Sequence, residues 1–287
     1  MASGSECLII IGAPRSGTNM LRDVLCRAPG SGTWPCDEIN YIWRHGNRNQ
    51  PTDEFTPQMA DGRVAGFIRG AFARIASGRH WRRVVEKTCA NSLRFGFVDR
   101  IFPEARYVFI HRDGRDAVPS IMKRWQAPLD VPYVLKKARF VPPADVPYYA
   151  ARYFANRLHR IFSRKKSLSA WGPRFSGMDG MLRSRPLVEV CAEQWARCVE
   201  SSLDQMASVP AGRVLRVQYE RFIRDPVAGV RELADYLGIR LTGTEVEGMA
   251  RDVRLNHVGK WKKELSAGDL ERIRPIIGSA MKRLGYE

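Results

Sequence analysis

The stretch IIIGAPRSGTNMLRDVL, Ile9 to Leu25, constrains the fold more than any other part of the chain. An apolar run ends at Gly12, a short turn follows, and a helical pattern sets in from Ser16. Strand Leu8 to Ile11, glycine-bearing turn and helix make a βα unit, and the helix N-terminus presents unpaired N–H groups that attract anions. Gly12 and Gly17 have the spacing of GxxxxGK[ST], in which such a loop cradles phosphate. Thr18 stands where that pattern has lysine, and the cation is Arg15, inside the loop. An ordinary turn with a hydroxyl cap is the alternative. Against it, Pro14-Arg15-Ser16-Gly17-Thr18 gathers a cation, hydroxyls and a glycine-permitted close approach, a set suited to a tetrahedral anion.

The same alternation continues. Short β-rich runs at Val84 to Glu86, Tyr107 to His111 and Val214 to Val217 alternate with helical patterns from Ser92, from Gly114, over Pro186 to Met206 and over Pro226 to Leu237. This predicts an α/β chain with a central, mainly parallel sheet covered by helices on both faces, a three-layer α/β/α arrangement. With 287 residues the chain is read as a single domain over 1–287 with one insertion, Gln126 to Pro186. That insertion holds 12 Lys/Arg against 3 Asp/Glu, so +9 of the chain's net +17 sits there. Such an excess points to anionic partners: nucleic acid, a membrane surface or a polyanionic small ligand. Within it, YYAARYFANRLHRIFSRKK suggests a basic amphipathic helix over Val146 to Lys166.

A second anion site is legible in YVFIHRDGRDAVPSIMKRW. Arg112 falls at the carboxyl end of a strand, where open α/β sheets bind ligands, and the following helix sets Ser120 and Arg124 four apart on one face. Pairing of Arg112 and Arg115 with Asp113 and Asp116 accounts for part of this charge. Two separated anion sites on one sheet edge imply a ligand charged at both ends. A kinase would require a strand-end carboxylate for Mg²⁺, whereas this strand ends in His111-Arg112. The six cysteines form no CxxC pair or His/Cys cluster, so free thiols and no metal site are expected.

These two motifs resemble those of the sulfotransferases that use 3'-phosphoadenosine-5'-phosphosulfate (PAPS) and release the bisphosphate PAP. The resemblance implies a P-loop-like fold and metal-independent, in-line transfer of a sulfuryl group to an acceptor hydroxyl. It makes Arg15, Ser16, Gly17, Thr18 and Asn19 the 5'-phosphosulfate loop, and Arg112, Ser120 and Arg124 the 3'-phosphate site. CDEINYIWR is similar to an acidic segment of the Golgi and bacterial branches, which include the tyrosylprotein sulfotransferases, and makes Glu38 the general base, with Asp37 and His45 as alternatives. EKTCANSLRFGF assigns Lys87 to charge developing in the transition state. VQYERFIRDP and VGKWKKELS place Tyr219, Gly259, Lys260 and Trp261 at the nucleotide. Glu38 beginning a helix, and Lys87 pairing with Glu86 at the surface, are the structural alternatives.

The acceptor is expected to be a hydroxyl-bearing small molecule, lipid or glycolipid, with possible peripheral contact to a membrane. No stretch is apolar enough for a signal peptide or a membrane span, so the expectation is a cytoplasmic protein, at most peripheral to the inner face of the membrane. A nucleic-acid-binding module, with Tyr148, Tyr149, Tyr153 and Trp171 stacking on bases, is the competing reading.

Overall fold

A computed structural model of the chain describes residues 5–128, 139–149, 171–255 and 258–286. Its centre is a five-stranded, wholly parallel sheet in the order β2-β3-β1-β4-β5. The strands are β1 (Glu6–Ile11), β2 (Ser31–Gly32), β3 (Arg83–Lys87), β4 (Arg106–His111) and β5 (Val214–Gln218). The helices are α1 (Thr18–Leu25), α2 (Asn40–Trp43), α3 (Gly62–Arg79), α4 (Phe95–Ile101), α5 (Gly114–Gln126), α6 (Met178–Ser184), α7 (Leu187–Met206), α8 (Tyr219–Arg224), α9 (Pro226–Leu237), α10 (Gly243–Ala250), α11 (Trp261–Glu264) and α12 (Ala267–Arg283).

The period of two along each strand divides the core into two apolar layers. Ile9, Ile11, Val84, Tyr107 and Phe109 face the layer that includes α3, α4, α5, α7 and α12. Leu8, Ile10, Val85, Val108 and Ile110 face α1, α8, α9 and α10. Trp195 of α7 is wholly buried, and a Cβ on Gly114 would lie 2.8 Å from its ring, so the start of α5 can approach α7 only with glycine there.

From β1 the chain goes to the edge strand β2, returns to β3 between them, and then crosses β1 to β4 and β5 on the other side. The exits of β1 and β4 therefore flank the point where the order reverses, the usual ligand crevice of an open parallel sheet.

Several boundaries differ from the sequence reading. Helix α1 begins at Thr18 and not at Ser16, because Arg15 and Gly17 both have left-handed backbones (φ 66° and 91°). In place of a helix from Ser92, a tight 3-10 turn spans Cys89–Leu93 and α4 starts at Phe95. The cause is the Glu86 carboxylate, which draws in the Thr88 hydroxyl and the Asn91 amide so that the chain wraps around it. Helix α7 begins one residue later than expected, after Pro186 in an extended conformation. The expected helix over Val146 to Lys166 falls largely on residues 150–170, outside the described residues.

Candidate active site

The phosphate-type loop is built by backbone conformation. Gly17 has a left-handed backbone (φ 91°), and a Cβ there would meet the Tyr219 ring at 2.4 Å. Ser16 is fully buried, and its Oγ has no hydrogen-bond partner among the described residues. A buried hydroxyl left without a partner is costly unless a ligand satisfies it. The loop thus fits an oxyanion: an orphaned hydroxyl, a left-handed glycine and the N-terminus of an eight-residue helix meet at one point.

Arg15 joins this loop to the second motif. Its Nε donates to Ser120 Oγ at 2.9 Å, and its backbone carbonyl accepts from Arg112 Nη1 at 3.1 Å. Partial burial, followed by the nearby guanidinium of Arg124 and then that of Arg112, lowers the Arg15 pKa. Three cations held this close disfavour one another, and an anion between them relieves the repulsion. The Arg112 guanidinium also lies over the Tyr219 ring, 4.7 Å from its centroid. Arg124 is exposed and stacks on Trp171 at 5.9 Å. The expected pairing of Arg115 with Asp113 (2.8 Å) and of Arg112 with Asp116 (3.8 Å) is present.

Gly259, Lys260 and Trp261 arrive at the same place by a route the sequence did not reveal. Both carboxylate oxygens of Asp116 are used: Oδ2 accepts from the Gly259 N–H at 2.7 Å and Oδ1 from the Trp261 N–H at 3.0 Å. Arg115 lies over the Trp261 ring at 5.0 Å, and Lys260 is left exposed. Asn19, exposed on the first turn of α1, makes no hydrogen bond with the other candidate residues among those described.

On the β3 side, Lys87 is buried and does not pair with Glu86 at the surface. Its Nζ donates to Asp37 Oδ1 and to Glu38 Oε1, each at 3.1 Å. Glu38 does not begin a helix either, since α2 starts at Asn40 with Ile39 as its cap. Its carboxylate turns inward to Lys87 and to the backbone N–H of Cys89 at 3.2 Å. Burial works against a charge on Lys87, but Glu38, Cys89 and Asp37 outweigh it and raise its pKa. Burial likewise opposes ionisation of Asp37, yet Lys87 and Arg22 bring its pKa down to about 2. Asp37 is thus a firmly ionised partner to two cations. His45 lies in another cluster, with Nδ1 2.7 Å from Asp145 Oδ2 and its ring stacked on Phe67. All six cysteines are free thiols, as expected.

The carboxyl ends of these parallel strands thus bring a bridge of Arg15, Ser120 and Arg112 beside a lysine–carboxylate cluster, an arrangement suited to group transfer from an anionic donor. The family model described as "Sulfotransferase family" matches residues 8–139 and 149–243, and the chain belongs to that family. It is a PAPS-dependent sulfotransferase, an enzyme that takes its sulfuryl group from PAPS and leaves PAP. The match also takes in much of Gln126 to Pro186, the segment that reads as an insertion in the sequence.

The chain is similar to protein-tyrosine sulfotransferase A of Caenorhabditis elegans, at 21% identity over 316 aligned residues, covering 99% of this chain and 68% of the relative. It shares its fold with a sulfotransferase of Mycobacterium avium (TM-score 0.55, 14% identity, 100% of this chain and 78% of that one). A mouse sulfotransferase solved with PAP has the same fold (TM-score 0.52, 16% identity, 96% and 85%).

Proposed function

We propose that Glu38 is the general base in transfer of a sulfuryl group from PAPS to an acceptor hydroxyl, with Lys87 and Arg15 countering charge on the departing phosphate and the sulfuryl oxygens. The observation that carries this reading is the buried Lys87 Nζ, held 3.1 Å from Glu38 Oε1 beside a loop whose Ser16 hydroxyl has no partner among the described residues. Ser16, Gly17 and Thr18 would bind the 5' end of the donor. Arg112, Ser120 and Arg124 would bind the 3'-phosphate, with Tyr219 and Trp261 as walls.

The chemistry follows from charge. A neutral SO3 unit passes in line from a phosphate to an oxygen, so positioning and electrostatic stabilisation supply most of the rate. The acceptor must lose a proton, and a carboxylate within hydrogen-bond reach takes it. His45 belongs to a separate cluster, with Nδ1 on Asp145 and its ring stacked on Phe67, whereas Glu38 shares Lys87 with Asp37.

The acceptor is a hydroxyl compound. Phenolic hydroxyls of tyrosine come first, since the curated relative is named a protein-tyrosine sulfotransferase. Lipid or glycolipid hydroxyls come second, because of the basic charge of Gln126 to Pro186. Among the described residues no helix is long and apolar enough to cross a membrane, so a lipid acceptor would be met at the surface of a bilayer.

Incubation with sulfur-labelled PAPS and, in parallel, tyrosine peptides, small phenols and glycolipid vesicles tests the reading. Label should enter at least one hydroxyl class in the wild type and be lost in Glu38→Gln. Undiminished labelling by Glu38→Gln would move the base role to Asp37.

A further inference from the structure

Behind the acidic segment lies a set of buried polar groups for which the proposed chemistry has no use. Glu86 is 1% exposed, and Thr88, Asn91 and Arg94 are fully buried. Placing a carboxylate and a guanidinium in a protein interior is costly before they pair, and well-packed apolar residues would avoid that cost. The bonding pattern suggests what the cost secures.

Two lines of hydrogen bonds leave Glu86. In the first, Thr88 Oγ1 donates to Glu86 Oε1 at 2.5 Å and accepts from the backbone N–H of Ile39 at 3.3 Å. In the second, Asn91 Nδ2 donates to Glu86 Oε2 at 3.0 Å, Arg94 Nε donates to Asn91 Oδ1 at 2.9 Å, and Arg94 Nη2 donates to Asn40 Oδ1 at 2.6 Å. Beyond Asn40, Asp53 Oδ1 accepts from Asn40 Nδ2 at 3.3 Å and forms an ion pair, without a hydrogen bond, to Arg94 Nη1 at 3.5 Å. Both lines end on Ile39 and Asn40, the residues directly after Glu38. The Glu38 carboxylate itself is held by Lys87 and the Cys89 N–H, from the same strand exit that supplies Glu86 and Thr88.

We propose that Glu86, Thr88, Asn91 and Arg94 are positioning residues that lock the segment from Asp37 to Asn40 against the end of β3, and so set the place of the Glu38 carboxylate; this rests on Glu38 being the base. Thr88 is the most exposing point of attack, because one hydroxyl both donates to Glu86 and accepts from Ile39. Valine has nearly the same shape and can do neither; serine can do both. An interior that merely needed filling would accept valine.

The test compares Thr88→Val, Thr88→Ser, Glu38→Gln and the double variant Glu38→Gln/Thr88→Val. It follows label entering a cell extract from sulfur-labelled PAPS, PAP affinity, and amide exchange at Ile39. Thr88→Val should lower the rate at saturating PAPS by about 10- to 100-fold, the scale of a misplaced catalytic group. PAP affinity and half-saturating PAPS should stay within about threefold of wild type, which also reports on folding. Thr88→Ser should restore most of the rate, and Ile39 exchange should rise in both variants that carry valine but not in Thr88→Ser or Glu38→Gln. If valine prevents folding, Thr88→Ala removes the same hydroxyl without adding bulk. Because Thr88 acts through Glu38, the double variant should be no slower than Glu38→Gln alone. A wild-type rate in Thr88→Val, or losses that multiply in the double variant, would overturn the proposal. A wild-type rate in Glu38→Gln would instead remove the base reading and the catalytic part of this proposal with it, while Ile39 exchange would still report whether the hydroxyl holds the segment.

Discussion

At Gly17 three requirements fall on one atom that is absent. The backbone is left-handed, the Tyr219 ring fills the space of a Cβ, and the loop N–H groups must close on an anion. Gly17→Ala should therefore do more than add strain of roughly 1–2 kcal/mol. It should push Tyr219 from under Arg112 and abolish PAP binding, as read by calorimetry, whereas Asn19→Ala, changing an exposed residue, should leave binding near wild type. Ser120 is a milder case: Ser120→Ala removes the Arg15 contact at 2.9 Å and should weaken PAP by about tenfold, a hydrogen bond to a charged group being worth about 1.5–3 kcal/mol. Unchanged PAP affinity in both Gly17→Ala and Ser120→Ala would place the nucleotide elsewhere.

Strand β3 and the turn after it behave as one electrostatic element. Burial lifts the Glu86 carboxyl to a pKa of about 7, from an ordinary 4.5. A carboxyl whose folded pKa is raised contributes stability below its unfolded pKa and loses it as pH rises through the folded value. The stability of wild type relative to Glu86→Gln should therefore fall between about pH 4.5 and pH 7, by about 1.4 kcal/mol per pH unit, and be level outside that window. Denaturant unfolding across that range reads it, and a flat difference would mean that Glu86 keeps its ordinary pKa. This element also shows where the sequence stopped being legible. The loop after β1, the RDGRDAVPS motif and the alternation of strands could be read, because local spacing encodes them. Thr88, Asp116 and the Cys89 N–H could not, because their roles are set by residues far along the chain: Ile39, Gly259 and Trp261, and Glu38. Helix α3 was missed for another reason. Its four glycines weaken the helical signal, and it is packing of Val64, Ile68, Ala71, Phe72 and Ala76 onto the sheet that makes it a helix.

For the whole molecule, a net charge of +17 and the close approach of Arg15 and Arg112 mean that the folded chain holds positive charge together against repulsion. PAP at about 100 times its Kd should stabilise the fold by about 2.7 kcal/mol, raising Tm by several degrees, and the gain should shrink with salt. Added Mg²⁺ should not enhance it if guanidinium groups do the clamping. A Tm that PAP leaves unmoved would contradict the two-site arrangement. Donor binding and proton removal, on the proposed reading, belong to different residues of one crevice. Glu38→Gln beside wild type tests this most directly, with PAP affinity and the rate of label transfer from PAPS measured on the same preparations. PAP affinity should be equal and the rate of the variant lower by about 100-fold or more; equal rates, or a loss of rate matched by an equal loss of PAP affinity, would rule this division of roles out.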